Sequence, residues 1–214
     1  MTAPVSPAGR LIAFEGLDGV GKTTQARLLA ENLSRFGLAV VLTREPTDGV
    51  FGQQIRWLQE HGRQGVTPAA ELALCLAVRR EHVQQLILPA LAAGKIVITD
   101  RYFYSSMAYQ GALGLDPQDI AAQHAGWAPA PDLIIILELP PPERRRRLQQ
   151  RLGSRDAFEQ DDYLTRVAAV FDQLQVPHLI RLDGRGSKAE VQARILARVR
   201  PLLHLPDAPV MPSR

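Results

Sequence analysis

The chain has 214 residues, of which 46% are hydrophobic and 22% charged, and its formal net charge is +3. This length and composition predict one globular domain with a sizeable core. No apolar run approaches the roughly 20 residues that span a bilayer, residues 1–9 lack the pattern of a secretory signal, and the lone Cys75 excludes an intramolecular disulfide framework. We therefore expect a soluble, cytoplasmic protein without a membrane partner.

Strand and helix patterns alternate along the chain. Five apolar, β-branched segments predict strands, namely Leu11–Glu15, Ala39–Thr43, Lys95–Asp100, Asp132–Leu139 and His178–Leu182. The clearest helical patterns between and after them are Thr23–Phe36, Pro68–Leu91 and Ser187–Leu203. This alternation predicts an α/β fold, a doubly wound parallel sheet between two layers of helices. We expect a single domain over residues 1–214 that ends in a frayed, Pro-rich tail from 206 to 214.

A glycine-rich segment follows the first predicted strand. Residues 16–23 read G-L-D-G-V-G-K-T, which satisfies the phosphate-loop pattern G-x-x-x-x-G-K-[ST] between a strand and a helix. The glycines let successive backbone N–H groups point into one concavity, where an anion binds. We expect Lys22 to reach the β- and γ-phosphates and Thr23 to ligate Mg²⁺. The predicted triphosphate site consists of Gly16, Leu17, Asp18, Gly19, Val20, Gly21, Lys22, Thr23 and Thr24.

A carboxylate and a guanidinium end the third predicted strand. Asp100 and Arg101 follow a buried-type segment, and ligands of doubly wound sheets bind at the carboxyl ends of strands. Asp100 is therefore expected to hold Mg²⁺, through water, and Arg101 to hold a phosphate. The alternative is an Asp-Arg surface pair at the start of a helix.

Arginines crowd into one segment late in the chain. Six of them lie between Arg144 and Arg155. No stacking aromatics are interleaved with them and acidic residues follow at once, so we expect no nucleic-acid partner. Arginine binds phosphates bidentately, which favours a phosphate-clamping segment. Arginine-rich genomic composition is the alternative explanation.

Five segments together resemble thymidylate kinases. Residues 100–111 read D-R-Y-F-Y-S-S-M-A-Y-Q-G and match every fixed position of that family's D-R-Y-x-x-S-x-x-A-Y-Q-G motif. The other matching segments, in the family's order, are Phe14–Thr24, Thr43–Pro46, Arg79–Val83 and Pro131–Leu133. The resemblance implies a five-stranded, three-layer phosphate-loop kinase with a short lid at about 143–160. It also implies ATP-dependent phosphorylation of dTMP to dTDP with Mg²⁺ for dTTP synthesis, and a homodimer.

The resemblance also implies roles in binding the acceptor. Arg56 and Arg101 resemble the arginines that hold the acceptor phosphate, which is already ionised, so that no general base is needed. Glu45, before Pro46, resembles the carboxylate near that phosphate and Mg²⁺. Asp18 lies where the family places the acid that binds the sugar 3′-hydroxyl.

Base selection falls, by the same resemblance, to one arginine and a group of residues in the D-R-Y motif. Tyr109 would crowd the sugar 2′ position and so favour deoxyribose. The predicted base-reading residues are Arg79, Ser105, Ser106, Tyr109 and Gln110. For Arg79 alone, a solvated helix charge is the alternative.

The arginine-rich segment falls where nucleoside monophosphate kinases have a mobile lid. Arg147, Arg151 and Arg155 recur every four residues, so one helical face would present all three. One branch of the family has an arginine within the phosphate loop, but here that position is Gly19. The lid must therefore supply the catalytic arginine, and closing it would exclude water. Together with Lys22 and Arg101, these three arginines form the predicted catalytic set.

Two positions depart from the family pattern. Cys75 occupies the place where a phenylalanine usually stacks on thymine, so the ring platform is smaller or another residue supplies it. Ala157 stands where the lid usually has arginine, and Arg155 or Arg151 is the candidate replacement.

Two other functional classes compete with this interpretation. The first is a phosphate-loop kinase for another nucleotide or for a deoxynucleoside, which would need a base to deprotonate a hydroxyl. The second is a nucleotide-binding regulator or assembly ATPase, which has no use for the residues from Ser105 to Gln110.

Overall fold

A five-stranded parallel sheet forms the centre of the molecule. The computed structural model describes residues 9–63, 65–152 and 158–206. Within them the strand order is β2-β3-β1-β4-β5, and each neighbouring pair is parallel. The strands are β1 (Arg10–Glu15), β2 (Val40–Arg44), β3 (Ile96–Asp100), β4 (Leu133–Glu138) and β5 (Leu179–Asp183). The predicted α/β class and parallel sheet are confirmed, and each predicted strand end lies within one residue of the observed one.

Helices cover both faces of the sheet. They are α1 (Lys22–Arg35), α2 (Val50–His61), α3 (Pro68–His82), α4 (Leu88–Ala92), α5 (Phe103–Gly111), α6 (Pro117–Ala122), α7 (Pro141–Leu152), α8 (Phe158–Gln173) and α9 (Lys188–Leu203). No helix among the described residues is long and apolar enough to cross a membrane.

Strand β4 shows why the sheet is buried between two helical layers. Successive side chains of a strand point to opposite faces. Ile135 belongs to the apolar cluster that includes α1 and α9, whereas Ile134 and Ile136 belong to the cluster that includes α5 and α8. A strand that is apolar at every position is stable only where both faces are covered, and this is the arrangement observed.

Local sequence explains where α3 begins and where the regular α-helical hydrogen bonding after it is interrupted. Thr67 caps α3 by accepting a hydrogen bond from the Ala70 N–H at 3.2 Å, and Pro68 fills the first turn. The helix predicted from Pro68 to Leu91 runs to Ala92 but contains a π-helical segment at Val83–Ile87. Pro89 has no N–H to donate into the preceding turn, so the regular hydrogen-bond ladder is interrupted there.

The topology brings three chain segments to one edge of the sheet. Strands β2, β3 and β1 are neighbours, and their carboxyl ends lead into Glu45, Arg101 and Gly16. Because parallel strands end at the same edge, residues far apart in sequence meet there. The α7 helix reaches the same place and packs on the phosphate loop.

Candidate active site

The phosphate loop adopts the backbone conformation that its glycines permit. Gly16, Gly19 and Gly21 have φ angles of 124°, 86° and 104°. This is the left-handed region, which side chains other than hydrogen disfavour. The Lys22 ammonium donates to the Leu17 carbonyl at 2.8 Å and so closes the loop upon itself. The loop therefore presents its N–H groups and one cation to a shared concavity.

Lys22 is a buried cation in this loop. Its side chain is only 5% exposed, and its nearest acid is Asp18 at 3.9 Å, an exposed carboxylate. Burial, together with the nearby Arg101 charge, lowers the pKa of Lys22 to about 8. A bound polyphosphate would supply the negative charge that favours the protonated form.

The lid helix packs directly on Gly19. A Cβ atom at Gly19 would lie 2.8 Å from Leu148 Cγ and 3.2 Å from the Arg144 carbonyl oxygen. No side chain fits at this position without displacing α7, in addition to the strain of its positive φ. Helix α7, which carries Arg147, thus packs against Gly19, the position where one family branch is expected to have arginine.

Arg147 is the lid arginine whose surroundings the structure describes. Its guanidinium donates to Glu143 at 2.9 Å and to the Gly184 carbonyl at 3.2 Å. Nη1 lies 3.9 Å from the position of a Cβ on Gly21, which places the charge beside the phosphate loop. Arg155 and the side chain of Arg151 lie outside the described part of the structure, as does Ala157.

Thr23 and Asp100 meet at the start of α1. The Thr23 hydroxyl donates to Asp100 Oδ2. The other carboxylate oxygen, Oδ1, is buried and has no hydrogen-bond partner among the described residues. This pair of oxygens fits a hard divalent cation such as Mg²⁺. Within the described ranges no group of three or more His, Cys, Asp or Glu residues could hold a metal ion, so phosphate and water oxygens would complete its coordination.

Arg101 connects the phosphate loop with helix α5. Its Nη1 donates to Ser105 Oγ at 2.9 Å and to the Gly16 carbonyl at 3.4 Å. Its Nη2 donates to Asp18 at 2.7 Å and to the Tyr109 hydroxyl at 3.1 Å. Arg101 itself has a positive φ of 74°, which is uncommon outside glycine. The side chain is thereby held between the two predicted nucleotide sites.

Glu15 supports Arg101 through the Ser105 hydroxyl, and the sequence motifs did not predict this role. Its Oε2 accepts from Ser105 Oγ at 2.6 Å, and its Oε1 accepts from the backbone N–H groups of Tyr102 and Ser105 at 2.9 and 3.2 Å. The Ser105 hydroxyl therefore donates to Glu15 while it accepts from Arg101. Burial raises the pKa of Glu15 to about 7. The sequence feature that could have identified Glu15 is a carboxylate at the end of an apolar strand.

Arg79 lies at the centre of a buried polar cluster. Its guanidinium donates to Glu45 Oε2 from Nε at 2.8 Å and also from Nη2. Nη1 donates to Ser106 Oγ at 3.2 Å and lies 2.7 Å from His124 Nε2. The second Glu45 oxygen lies 3.0 Å from His82 Nδ1. Both Glu45 oxygens thus have protein partners here, and its predicted place beside the acceptor phosphate stays a prediction.

Arg56 is anchored beside the residue that follows Glu45. Its Nη1 donates to the carbonyls of Pro46 and Thr47 at 3.2 and 2.8 Å. Its Nη2 lies 3.2 Å from Asp48, whose side chain is 78% exposed. An exposed partner of this kind leaves the guanidinium accessible to an anion.

Gln110 faces the same region from α5. Its Nε2 lies 3.3 Å from Glu71 Oε1, an assignment that follows from the acceptor it faces. Its Oε1 is buried and has no hydrogen-bond partner among the residues described. Glu71 also binds Arg63, which donates to the Tyr163 hydroxyl at 3.1 Å. Gln110 therefore has an oriented acceptor available for a ligand N–H group.

Cys75 lies on α3, one turn before Arg79. It is half-buried, and burial raises the pKa of its thiol to about 11. The thiol is therefore protonated at neutral pH and behaves as a small hydrophobe.

Three further residues of this site were given no role from the sequence. His82 contacts Glu45 and lies in the matching segment Arg79–Val83, but no role was predicted for it. His124 contacts Arg79, but an isolated histidine near a helix resembles an ordinary core residue. Tyr163 lies outside the matching segments and was therefore missed, although its hydroxyl donates to the Tyr109 carbonyl at 3.0 Å.

The doubly wound parallel sheet, the phosphate loop and the arginine-bearing helix above it define the class of phosphate-loop kinases. Comparisons with known proteins narrow this class. A family model described as thymidylate kinase matches residues 14–195. This chain belongs to the thymidylate kinase family.

Individual relatives agree with the family assignment. The chain is 44% identical to a thymidylate kinase of Desulfotalea psychrophila over 198 residues, which cover 92% of this chain and 97% of the relative. It is 49% identical to a thymidylate kinase of Xanthomonas campestris pv. campestris, with 94% and 90% covered. A crystal structure of thymidylate kinase from Ehrlichia chaffeensis superposes with a TM-score of 0.72 at 30% identity, covering 90% of this chain and all of that one.

Proposed function

We propose that this chain transfers the γ-phosphoryl group of ATP to the phosphate of dTMP and so forms dTDP. The observation that carries the proposal is that one arginine, Arg101, contacts both the phosphate loop and the helix with the predicted base-reading residues. In a member of the thymidylate kinase family, this arrangement suits two nucleotides that meet at their phosphates.

ATP would bind through the loop from Gly16 to Thr24. The loop N–H groups and Lys22 would hold the triphosphate, and Thr23 with Asp100 would hold Mg²⁺. When bound, the ion neutralises charge on the triphosphate. The chain's own contribution is to orient the phosphates and to keep a buried cation beside them.

The acceptor phosphate would lie between Arg56 and Arg101, both of which keep contacts with exposed acids that an anion can replace. Asp18 would then be released to accept from the sugar 3′-hydroxyl. Tyr109, whose hydroxyl accepts from Arg101, would crowd the 2′ position.

The base would face Arg79, Ser106 and Gln110. Arg79 supplies one Nη2–H for a carbonyl, and Gln110 Oε1 supplies an acceptor for an imino N–H. Ser105 was predicted to read the base, but its hydroxyl binds Glu15 and Arg101 in this structure. Support of Arg101 is therefore the role that these contacts favour for Ser105.

A coupled assay with ATP and each common nucleoside monophosphate tests the proposal. The highest kcat/KM is expected for dTMP, with dUMP included as the methyl-free comparison. A higher kcat/KM for another monophosphate would overturn the acceptor assignment. ATPase activity that needs a macromolecule and no monophosphate would support a regulator instead.

Alanine substitutions in the lid test which arginine acts in catalysis. We expect unequal losses of kcat at Arg147, Arg151 and Arg155, with a loss of about tenfold or more at Arg147 because its charge lies beside the loop. Arg146 is exposed on the same helix, so its substitution is the matched control. If all three variants keep kcat within about twofold of the wild type, the catalytic arginine is elsewhere.

We also propose a homodimer in the cytoplasm. Apolar side chains project from α2, with Val50 68% and Trp57 56% exposed. Burying them against a second copy would remove this surface from water. Light scattering with size-exclusion chromatography tests the dimer, and a wild type that stays monomeric at assay concentration would contradict it.

A further inference from the structure

His124 makes two buried hydrogen bonds at the end of α6. The residue is 2% exposed, with Nδ1 2.7 Å from the Ile120 carbonyl oxygen and Nε2 2.7 Å from Arg79 Nη1. Its ring stacks on Phe103 at a centroid distance of 5.1 Å and contacts Trp127 at 5.3 Å. The imidazole is therefore fixed in position and in orientation.

These partners determine the protonation of the ring. A backbone carbonyl only accepts, so Nδ1 carries the proton, and a guanidinium only donates, so Nε2 is the acceptor. Only the neutral imidazole satisfies both contacts. Burial, together with the Arg79 charge, lowers the pKa of His124 to about 4, which agrees with this geometry.

The contacts of Arg79 account for nearly all of its N–H groups. A guanidinium has five donors in a rigid plane. Two point to Glu45, one to Ser106 and one to His124. A single Nη2–H has no partner among the described residues. Glu45 and His124 hold opposite ends of the plane, so the group cannot rotate to offer a different donor.

We propose that His124 is a positioning residue that selects the base of the acceptor through Arg79. By holding Nη1, it leaves one N–H of Arg79 to meet the base. That N–H donates to a carbonyl oxygen, which thymine has, and is mismatched with the amino group that cytosine has at the same ring position. The inference deepens the proposed function and depends on Arg79 facing the base. His124 itself does not touch the substrate.

Three substitutions test the role of the acceptor nitrogen. His124→Leu removes it and keeps an apolar side chain of moderate size. His124→Gln places a carbonyl oxygen within reach of Arg79, whereas the shorter His124→Asn does not. Gln123→Leu, at the exposed neighbouring position, is the matched control. For each variant, KM for dTMP, KM for ATP, kcat and the ratio of kcat/KM for dTMP to that for dCMP are measured.

We expect His124→Leu to raise KM for dTMP by about tenfold, to lower the dTMP to dCMP ratio, and to change kcat and KM for ATP by less than about threefold. His124→Gln should recover much of the lost affinity and selectivity. If His124→Leu does not fold, the comparison of His124→Gln with His124→Asn tests the proposal instead, because these side chains have the same amide group and differ only in length.

The proposal is overturned if KM for dTMP stays within about twofold in His124→Leu, or if both KM values and kcat change together as in a general loss of structure. Equal behaviour of the Gln and Asn variants would also overturn it. The assay of the wild-type enzyme with each nucleoside monophosphate is interpreted separately. A preference for another monophosphate would refute the proposed function, and the effect of the His124 substitutions would then be measured with that acceptor.

Discussion

Replacing Glu15 by glutamine is expected to stabilise the protein at alkaline pH and to leave its stability unchanged at acidic pH. Glu15 is fully buried, and its pKa in the folded chain is about 7 against an ordinary value of 4.5. Glutamine resembles the protonated acid, because its oxygen can accept from the backbone N–H groups of Tyr102 and Ser105 and its amide can donate to the Ser105 hydroxyl.

The magnitude follows from proton linkage. A raised carboxyl pKa means that the folded chain binds the proton more tightly than the unfolded chain, so stability falls as pH rises from about 4.5 to 7. The shift of about 2.5 units corresponds to about 3 kcal/mol at 1.36 kcal/mol per unit. Glu15→Gln has no proton to lose. Its advantage over the wild type should therefore grow from near zero at about pH 4.5 to about 3 kcal/mol at about pH 8.

Urea unfolding of both proteins at four values between about pH 5 and pH 8 measures this difference. Glu60→Gln, an exposed position on α2, is the control. A difference between Glu15→Gln and wild type that is constant across this range, or that favours the wild type more at high pH, would refute the reasoning. It would mean that Glu15 stays ionised throughout, held by Ser105 and the backbone.

Three further predictions concern the two nucleotide sites. Lys22, with a pKa of about 8, must be protonated to bind a triphosphate, so Kd for a non-hydrolysable ATP analogue should rise up to about tenfold per unit above pH 8. Lys22→Gln should bind weakly and with little dependence on pH. Gly37→Ala should lower the free energy of unfolding by about 1 kcal/mol because this glycine has a positive φ, and Gly19→Ala should lower it by more because a clash with Leu148 adds to the same strain. Only Gly19→Ala should lower kcat by about tenfold, because it alone displaces Leu148. Cys75→Phe should lower KM for dTMP by about fivefold through stacking, whereas Cys75→Leu should not.

A specific result would contradict each of these three predictions. A pH-independent Kd in the wild type would show that Lys22 stays charged. Equal activities of Gly19→Ala and Gly37→Ala would show that α7 accommodates the added methyl group without loss of activity. Restored activity in the Gly19→Ala, Leu148→Ala double variant would show that contact with Leu148 causes the loss. An unchanged or higher KM in Cys75→Phe would show that the ring platform is supplied elsewhere.

The order of apolar strands and the phosphate-loop pattern were enough to predict the sheet and its nucleotide edge. Strand β4 is apolar at each buried position, and this composition is stable only between two layers, whatever the rest of the chain does. The run from Gly16 to Thr23 is equally local, because its backbone shape depends on its own glycines. Family resemblance then named the residues that meet there.

Only the tertiary structure decided how these residues support one another. Glu15 and Ser105 are 90 positions apart, and Arg79 and His124 are 45 apart, yet each pair shares a buried hydrogen bond. No local pattern encodes such contacts, since they arise from the packing of helices against neighbouring strand ends. The sequence alone could therefore propose Arg79 and Arg101 as ligands of the acceptor, but not the buried Glu15 carboxylate and the neutral His124 that help to orient them.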